Sequence, residues 1–247
     1  MIELWHEWNS VHSFKVRVVL AEKGVAWIDR RLELLKFEHL SADYLRLNPN
    51  GVVPTLVHAG IPVFESTQIC HYLEKLHPIP RLSNQQADKW LAAFDSLAHP
   101  AIRGISFQLI YRPLLGSLDT AELEKRLVRH PNPVRADAFR QAVRAPVDEA
   151  VIATSIDSFR SLIDDINTSL SSRWLSGDEF GLADVAMAPF AERLCHLGLA
   201  ALFTGRSRAW MRQVLDRESV QKSAAPPEFR FPGPDPLEVK RWLSGAA

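Results

Sequence analysis

An α/β domain of order β-α-β-α-β-β-α, followed by an all-helical region, is the architecture this sequence predicts. Two patterns carry the prediction. Short apolar runs alternate with helical spacing as far as residue 76, and only helical spacing follows the stiff Pro78-Ile79-Pro80 link. With 247 residues, 47% of them hydrophobic, the chain has ample material for a core. The expected domain limits are 1–80 and 85–247.

The elements follow in order. Ile2–Trp5 reads as a strand, and Phe14–Glu22 as a helix with apolar residues at Phe14, Val18 and Leu20-Ala21. Gly24 after Lys23 suits a helix C-terminus. Trp27–Leu32 is a second strand, and residues 38–46 make a turn or two of helix before the turn formers Asn48-Pro49-Asn50-Gly51. Thr55–His58 and Ile61–Phe64 flank Ala59-Gly60, the spacing of a tight hairpin, and Pro62 puts the second strand at an edge. Ser66–Leu76 is a helix with its apolar stripe at Ile69, Tyr72, Leu73 and Leu76. The first crossover implies a parallel strand pair and the hairpin an antiparallel one. Beyond the link, helices are expected at 85–112, 120–129, 134–144, 147–171, 182–198 and 207–218, those around 113–146 being short because of Pro113, Pro131, Pro133 and Pro146. Pro226–Pro236 reads as a surface arm.

Composition narrows the function. The 29 Lys+Arg match 29 Asp+Glu, which argues against a nucleic-acid binder, and Cys70 and Cys195 alone make neither a disulfide framework nor a zinc site. The nine histidines hold no HExxH pair and no cluster of ligand spacing, so no metal is expected. Neither a signal peptide nor a run of about 18 apolar residues is present, so the expected compartment is the cytoplasm, with no membrane partner. A thiol–disulfide oxidoreductase would share the strand order, but it needs a cysteine at the first helix and none precedes Cys70.

Four segments of the first domain bear on chemistry. The turn Trp8-Asn9-Ser10-Val11-His12-Ser13 places hydroxyls beside the free N–H groups and positive end of a helix, a setting that favours a thiolate; equally, Ser10 or Ser13 caps the helix. In Val52-Val53-Pro54-Thr55, a cis bond would expose the Val53 backbone to an extended peptide, while the ordinary expectation is a trans proline opening a strand. Glu65-Ser66 at the start of the third helix suits a ligand end bearing both amine and carboxylate; equally, it is a capping serine after a solvated acid. Lys36 and His39 form a basic pair able to hold a second carboxylate.

Taken together, the strand order, Leu47-Asn48-Pro49 before Val53-Pro54-Thr55-Leu56, Glu65-Ser66-Thr67 before Ile69, and the helical remainder resemble the cytosolic glutathione transferase superfamily over nearly the whole chain. Asn9–Gly24 resembles the first helix of its serine-type classes. Phe64–Glu74 is similar to bacterial transferases that cleave β-aryl ethers, and Leu4-Trp5-His6 with Leu182-Ala183-Asp184-Val185 resembles ganglioside-induced differentiation-associated proteins. The resemblance implies a thioredoxin-like first domain and a cytoplasmic, homodimeric detoxification enzyme with glutathione as cosubstrate. Ser10 would activate the thiol; Ser13 is its rival because the alignment of this turn with the ether-cleaving branch is ambiguous, and Ser10 is preferred because Ser13 suits the cap better. Val53 and Pro54 would hold the cysteinyl backbone, Glu65 and Ser66 the γ-glutamyl end, and His39 or Lys36 the glycyl carboxylate. A hydrophobic or aromatic electrophile would lie among Trp8, Val11, Phe107 and Tyr111. The alternative is a non-catalytic binding module on the same fold. Gly181 stands where the family usually has a capping Ser or Thr, which makes Asp184 a structural residue next to a weakened cap, with Phe180 and Val185 as a hydrophobic staple.

Overall fold

Four strands, β1 (Ile2–His6), β2 (Ile28–Arg31), β3 (Thr55–His58) and β4 (Ile61–Val63), form one sheet in the order β2-β1-β3-β4. They belong to a computed structural model that describes residues 1–116 and 118–243. β1 and β2 run parallel because α1 (Val11–Glu22) carries the chain back across the sheet; β1–β3 and β3–β4 are antiparallel. Ala59 and Gly60 turn the hairpin with φ of 51° and 79°, the two positive angles a two-residue turn needs. Pro62 lies on the edge strand, as a residue that cannot donate to a ladder must.

α1 starts at Val11, three residues earlier than the apolar spacing suggests, and is buried from Ser13 to Leu20. A helix buried on every side has no single apolar stripe, so apolar spacing does not mark its start. Instead of one helix over 38–46, two short 3₁₀ turns, Leu34–Lys36 and Glu38–Leu40, hinge at Phe37 (φ 59°) before α2 (Ala42–Leu47). The Val53–Pro54 bond is cis, against the ordinary expectation of trans. α3 (Ser66–Leu76) completes the thioredoxin-like part.

The helical part opens with a run whose register changes twice. α4 (Gln85–Ala93) widens to a π turn at Phe94–Ala98, resumes as α5 (His99–Ser106), widens again at Phe107–Tyr111 and ends as α6 (Arg112–Leu115). Pro100 and Pro113 explain both openings: each lacks an N–H and its ring would strike the carbonyl four residues back. α7 (Thr120–Leu127) and α8 (Pro133–Arg144) form a hairpin; α9 (Glu149–Ser169), α10 (Leu182–His196), α11 (Gly205–Leu215), α12 (Glu218–Ser223) and α13 (Pro236–Leu243) follow. One apolar core joins the two parts, from Leu4, Leu20 and Leu73 to Phe94, Phe159 and Leu194. A smaller core of Phe37, Leu40, Leu115, Leu123, Leu127 and Ala136 fastens the α7–α8 hairpin onto the first domain.

Asp184 is buried and accepts from the backbone N–H groups of Leu175, Ser176 and Gly181 and from Trp210 Nε1. The cap at Gly181 is not weak, because Ser176 replaces it: its Oγ accepts from Ala183 N at 3.2 Å. A Cβ on residue 181 would come within 2.6 Å of both Leu82 O and Ser176 Oγ, so glycine is what lets the two segments meet. Phe180 packs on Trp174, ring centroids 5.1 Å apart, and under the Arg217 guanidinium.

Candidate functional site

A cleft of about 520 Å³ lies between turns and helix starts of the first domain and the face of α5 and α8. The turn after β1, the Gly51–Pro54 stretch and the start of α3 supply one wall. On that wall stand Ser10, Val11, Val53, Pro54, Glu65, Ser66 and His39, seven of the positions singled out in the first domain. Phe107 and Tyr111 stand on the helical wall.

Two expected residues are elsewhere. Lys36 is exposed, does not line the cleft and pairs with Glu33 at 2.9 Å, three residues along a 3₁₀ turn bringing the two side chains onto one side. Trp8 is not part of the cleft: the buried Arg17 guanidinium stacks 4.5 Å from its ring, and His6 packs on it edge-on. Arg17 also donates to the backbone carbonyls of Glu7, Trp8 and Ser223 and to His6 Nδ1, which fixes the His6 Nε2–H toward Asp29 at 2.8 Å. Burial lowers the pKa of Arg17 to about 9, which leaves it charged at neutral pH.

Ser10, not Ser13, is the cap of α1, which reverses the reasoning from sequence about which serine caps. Ser10 Oγ accepts from Ser13 N at 3.2 Å and keeps its own proton for another acceptor. Ser13 is fully buried, its hydroxyl has no partner among the described residues and it does not line the cleft. Similarly, Ser66 does not cap α3: it is the first helical residue, and its Oγ lies 3.4 Å from His12 Nδ1. Glu65 precedes it at φ 58°, ψ 118°, a conformation that costs a residue with a side chain about 1–3 kcal/mol and concentrates at functional sites. Next to it, Lys15 Nζ donates to Thr67 Oγ1 at 2.6 Å, and Asp95 stands across from Thr67.

The turn holding Ser10 is braced from two sides. Asn9 Nδ2 donates to Phe229 O at 2.7 Å, and Phe231 N donates to Asn9 Oδ1 at 2.9 Å, so the Pro226–Pro236 arm is tied to the turn. Arg193, buried on α10, donates to the Asn9 carbonyl and to Ser106 Oγ. Four histidines enter the cleft, His12, His39, His99 and His130, and burial lowers the pKa of each, that of His39 to about 3. At neutral pH His39 is therefore a hydrogen-bonding group, not the cation expected of it. The arginines on the cleft wall are Arg103, Arg135 and Arg193, none of them a position singled out from the sequence. Among the described residues no group of three or more His, Cys, Asp or Glu is arranged to hold a metal, and no helix is long and apolar enough to cross a membrane. Burial raises the Cys70 and Cys195 thiols to about 11, so neither is a ready nucleophile.

Residues 1–75 match the family model described as glutathione S-transferase, N-terminal domain. Over 232 residues the chain is 30% identical to glutathione S-transferase GstB of Escherichia coli strain K12, covering 90% of this chain and 97% of that one. The beta-etherase LigF from Sphingobium sp. strain SYK-6 superposes with a TM-score of 0.81 at 21% identity, covering 90% of this chain and 98% of its own. A glutathione S-transferase-I bound with lactoylglutathione superposes with a TM-score of 0.71 at 22% identity, covering 91% and 98%.

Proposed function

The chain belongs to the glutathione S-transferase family, and we propose that it activates the thiol of glutathione for attack on a hydrophobic or aromatic electrophile. The observation that carries this reading is the convergence of the Ser10 hydroxyl, the Val53-Pro54 backbone and the strained Glu65-Ser66 helix start on one cleft. In this reading residues 1–80 form the glutathione domain and 85–247 the electrophile domain, in a homodimer.

Ser10 Oγ–H donates to the glutathione sulfur while its lone pair takes the Ser13 N–H, an arrangement that makes the hydroxyl a better donor. The positive end of α1 lies behind it. Lowering the thiol pKa from about 8.5 to between about 6 and 7 requires about 2–3 kcal/mol, within reach of one charge-assisted hydrogen bond plus a helix terminus. Val53 and Pro54 hold the cysteinyl backbone, and the first turn of α3 with Glu65 holds the γ-glutamyl end. His39 hydrogen-bonds the glycyl carboxylate. The thiolate then attacks the carbon bearing the leaving group: an S–C bond forms, the bond to the leaving group breaks, and its electron pair departs with a halide or, in a β-aryl ether, an aryl oxide. Ether cleavage is included because Phe64–Glu74 resembles the ether-cleaving branch. Burial raises the pKa of the Tyr111 hydroxyl, keeping it protonated beside the departing group.

The test is a pair of variants. Ser10→Ala lowers turnover of an aryl halide at least about tenfold with glutathione KM changed less than about twofold, while Ser13→Ala retains activity. Near-normal turnover in Ser10→Ala with an inactive Ser13→Ala reverses the assignment. Retention on immobilised glutathione without turnover of a panel of electrophiles would instead establish a binding module.

A further inference from the structure

The helical wall of the cleft repeats one motif on two helices. On α5 and the wide turn after it, Arg103 precedes Phe107 by four residues; on α8, Arg135 precedes Phe139 by four. Residues four apart on a helix share a face. The two phenyl rings meet edge-to-face with centroids 5.2 Å apart, and all four residues line the cleft. The ring contact holds the two helix segments together, with both arginines on the lining of the one cleft.

Neither guanidinium has a hydrogen bond or ion pair among the described residues. The contrast with the rest of the α7–α8 hairpin is sharp: Arg126 pairs with Glu122, Arg140 with Glu124 and Asp137, and Arg144 with Glu124. The acids of the cleft, Glu65 and Asp95, belong to the α3 wall and to the first wide turn. Electrostatic pressure between the two arginines is visible in Arg103, whose pKa falls through burial and then through the charge of Arg135. Two cations that the fold does not neutralise, each one helical turn from an aromatic floor, form a receptor for an aromatic ring bearing a negative group.

We propose that Arg103 and Arg135 select electrophiles that carry a carboxylate or comparable anionic group on an aromatic ring, which stacks on Phe107 and Phe139. The inference rests on the transferase reading and names its second substrate. Each arginine stands four residues before one of the paired rings, and Phe107 also packs on Tyr111 with centroids 5.5 Å apart, so the pair belongs to the electrophile wall. His99, Arg103 and Phe107 also line a neighbouring cavity of about 920 Å³, which leaves room for the remainder of such a molecule.

The test compares 4-chloro-3,5-dinitrobenzoate with its methyl ester as electrophiles. In each, the thiolate displaces chloride from the ring, so the pair differs in charge at one group. The acid-to-ester ratio of kcat/KM falls at least about tenfold in Arg103→Met and in Arg135→Met relative to the unsubstituted protein, with glutathione KM changed less than about twofold. An unchanged ratio, or an equal loss on both substrates with a raised glutathione KM, overturns the proposal. Calorimetry with 3,5-dinitrobenzoate and its methyl ester, which lack the leaving group, separates this question from the chemistry. The acid binds at least about tenfold tighter than the ester, and each substitution removes that advantage. If neither chloride is turned over but this binding preference holds, the transferase reading fails and the anion site stands; equal binding of acid and ester means the anion site fails.

Discussion

Asn9→Ala separates the turn that carries Ser10 from the C-terminal arm, and its cost follows from the hydrogen bonds. The Asn9 side chain is buried and makes three of them: to Phe229 O at 2.7 Å, from Phe231 N at 2.9 Å and to Glu7 Oε1 at 3.2 Å. Truncation leaves the Phe229 carbonyl and Phe231 amide without partners, each worth about 1–3 kcal/mol when buried. Both residues are only half-buried, so water replaces part of the loss, and the expected total is about 2–3 kcal/mol. Urea denaturation of the full-length protein measures it. Hydrogen exchange adds a local readout, because the Phe231 amide loses its protection while amides in the α10 core keep theirs. A loss below about 0.5 kcal/mol with Phe231 still protected refutes the argument that this side chain ties the arm to the turn.

Further expectations concern stability and the two displaced candidates. Gly181→Ser, which restores a conventional capping residue, destabilises by at least about 2 kcal/mol because its Cβ meets the Leu82 carbonyl, and a thermal melt shows a lower Tm. Ser13→Ala is neutral or stabilising in the same assay, since it removes a buried hydroxyl with no partner among the described residues. His39 takes up a proton in the unfolded chain near pH 6.5 but in the folded protein only near pH 3, so its contribution is intact above pH 6.5 and falls as pH drops toward 3. Between pH 7 and 5 that loss is about 2 kcal/mol, and His39→Gln reduces the pH dependence of the unfolding free energy by this amount. Lys36→Ala leaves glutathione KM unchanged in steady-state kinetics, because an exposed pair with Glu33 is all that it loses.

The strand order and the first-domain side of the cleft were legible because they depend on short-range signals. Alternating apolar residues, Ala59-Gly60 between two apolar tetrads, and an acid with a hydroxyl ahead of Ile69 each act within a few residues of themselves. What was not legible depends on partners far away in the sequence. Gly181 reads as a defective cap until Ser176 and the Leu82 carbonyl are seen against it. Trp8 reads as a wall of the electrophile pocket until Arg17, nine positions on, covers its ring. His39 reads as a cation until burial removes its charge. The two helices of the α7–α8 hairpin were legible, expected at 120–129 and 134–144, but their seat on Phe37 and Leu40 is set by a separate small core of residues distant in sequence. Even so, the Arg-to-Phe spacing of four on both α5 and α8 was present in the sequence; only the meeting of the two phenyl rings gives it meaning.

Ultraviolet titration of the thiolate of bound glutathione bears most directly on the claim that the Ser10 hydroxyl and the start of α1 activate the sulfur. In the unsubstituted protein and in Ser13→Ala the bound thiol titrates between about pH 6 and 7, and in Ser10→Ala it returns toward about 8.5. A bound thiol that titrates identically with and without the Ser10 hydroxyl, or that shifts only in Ser13→Ala, contradicts it.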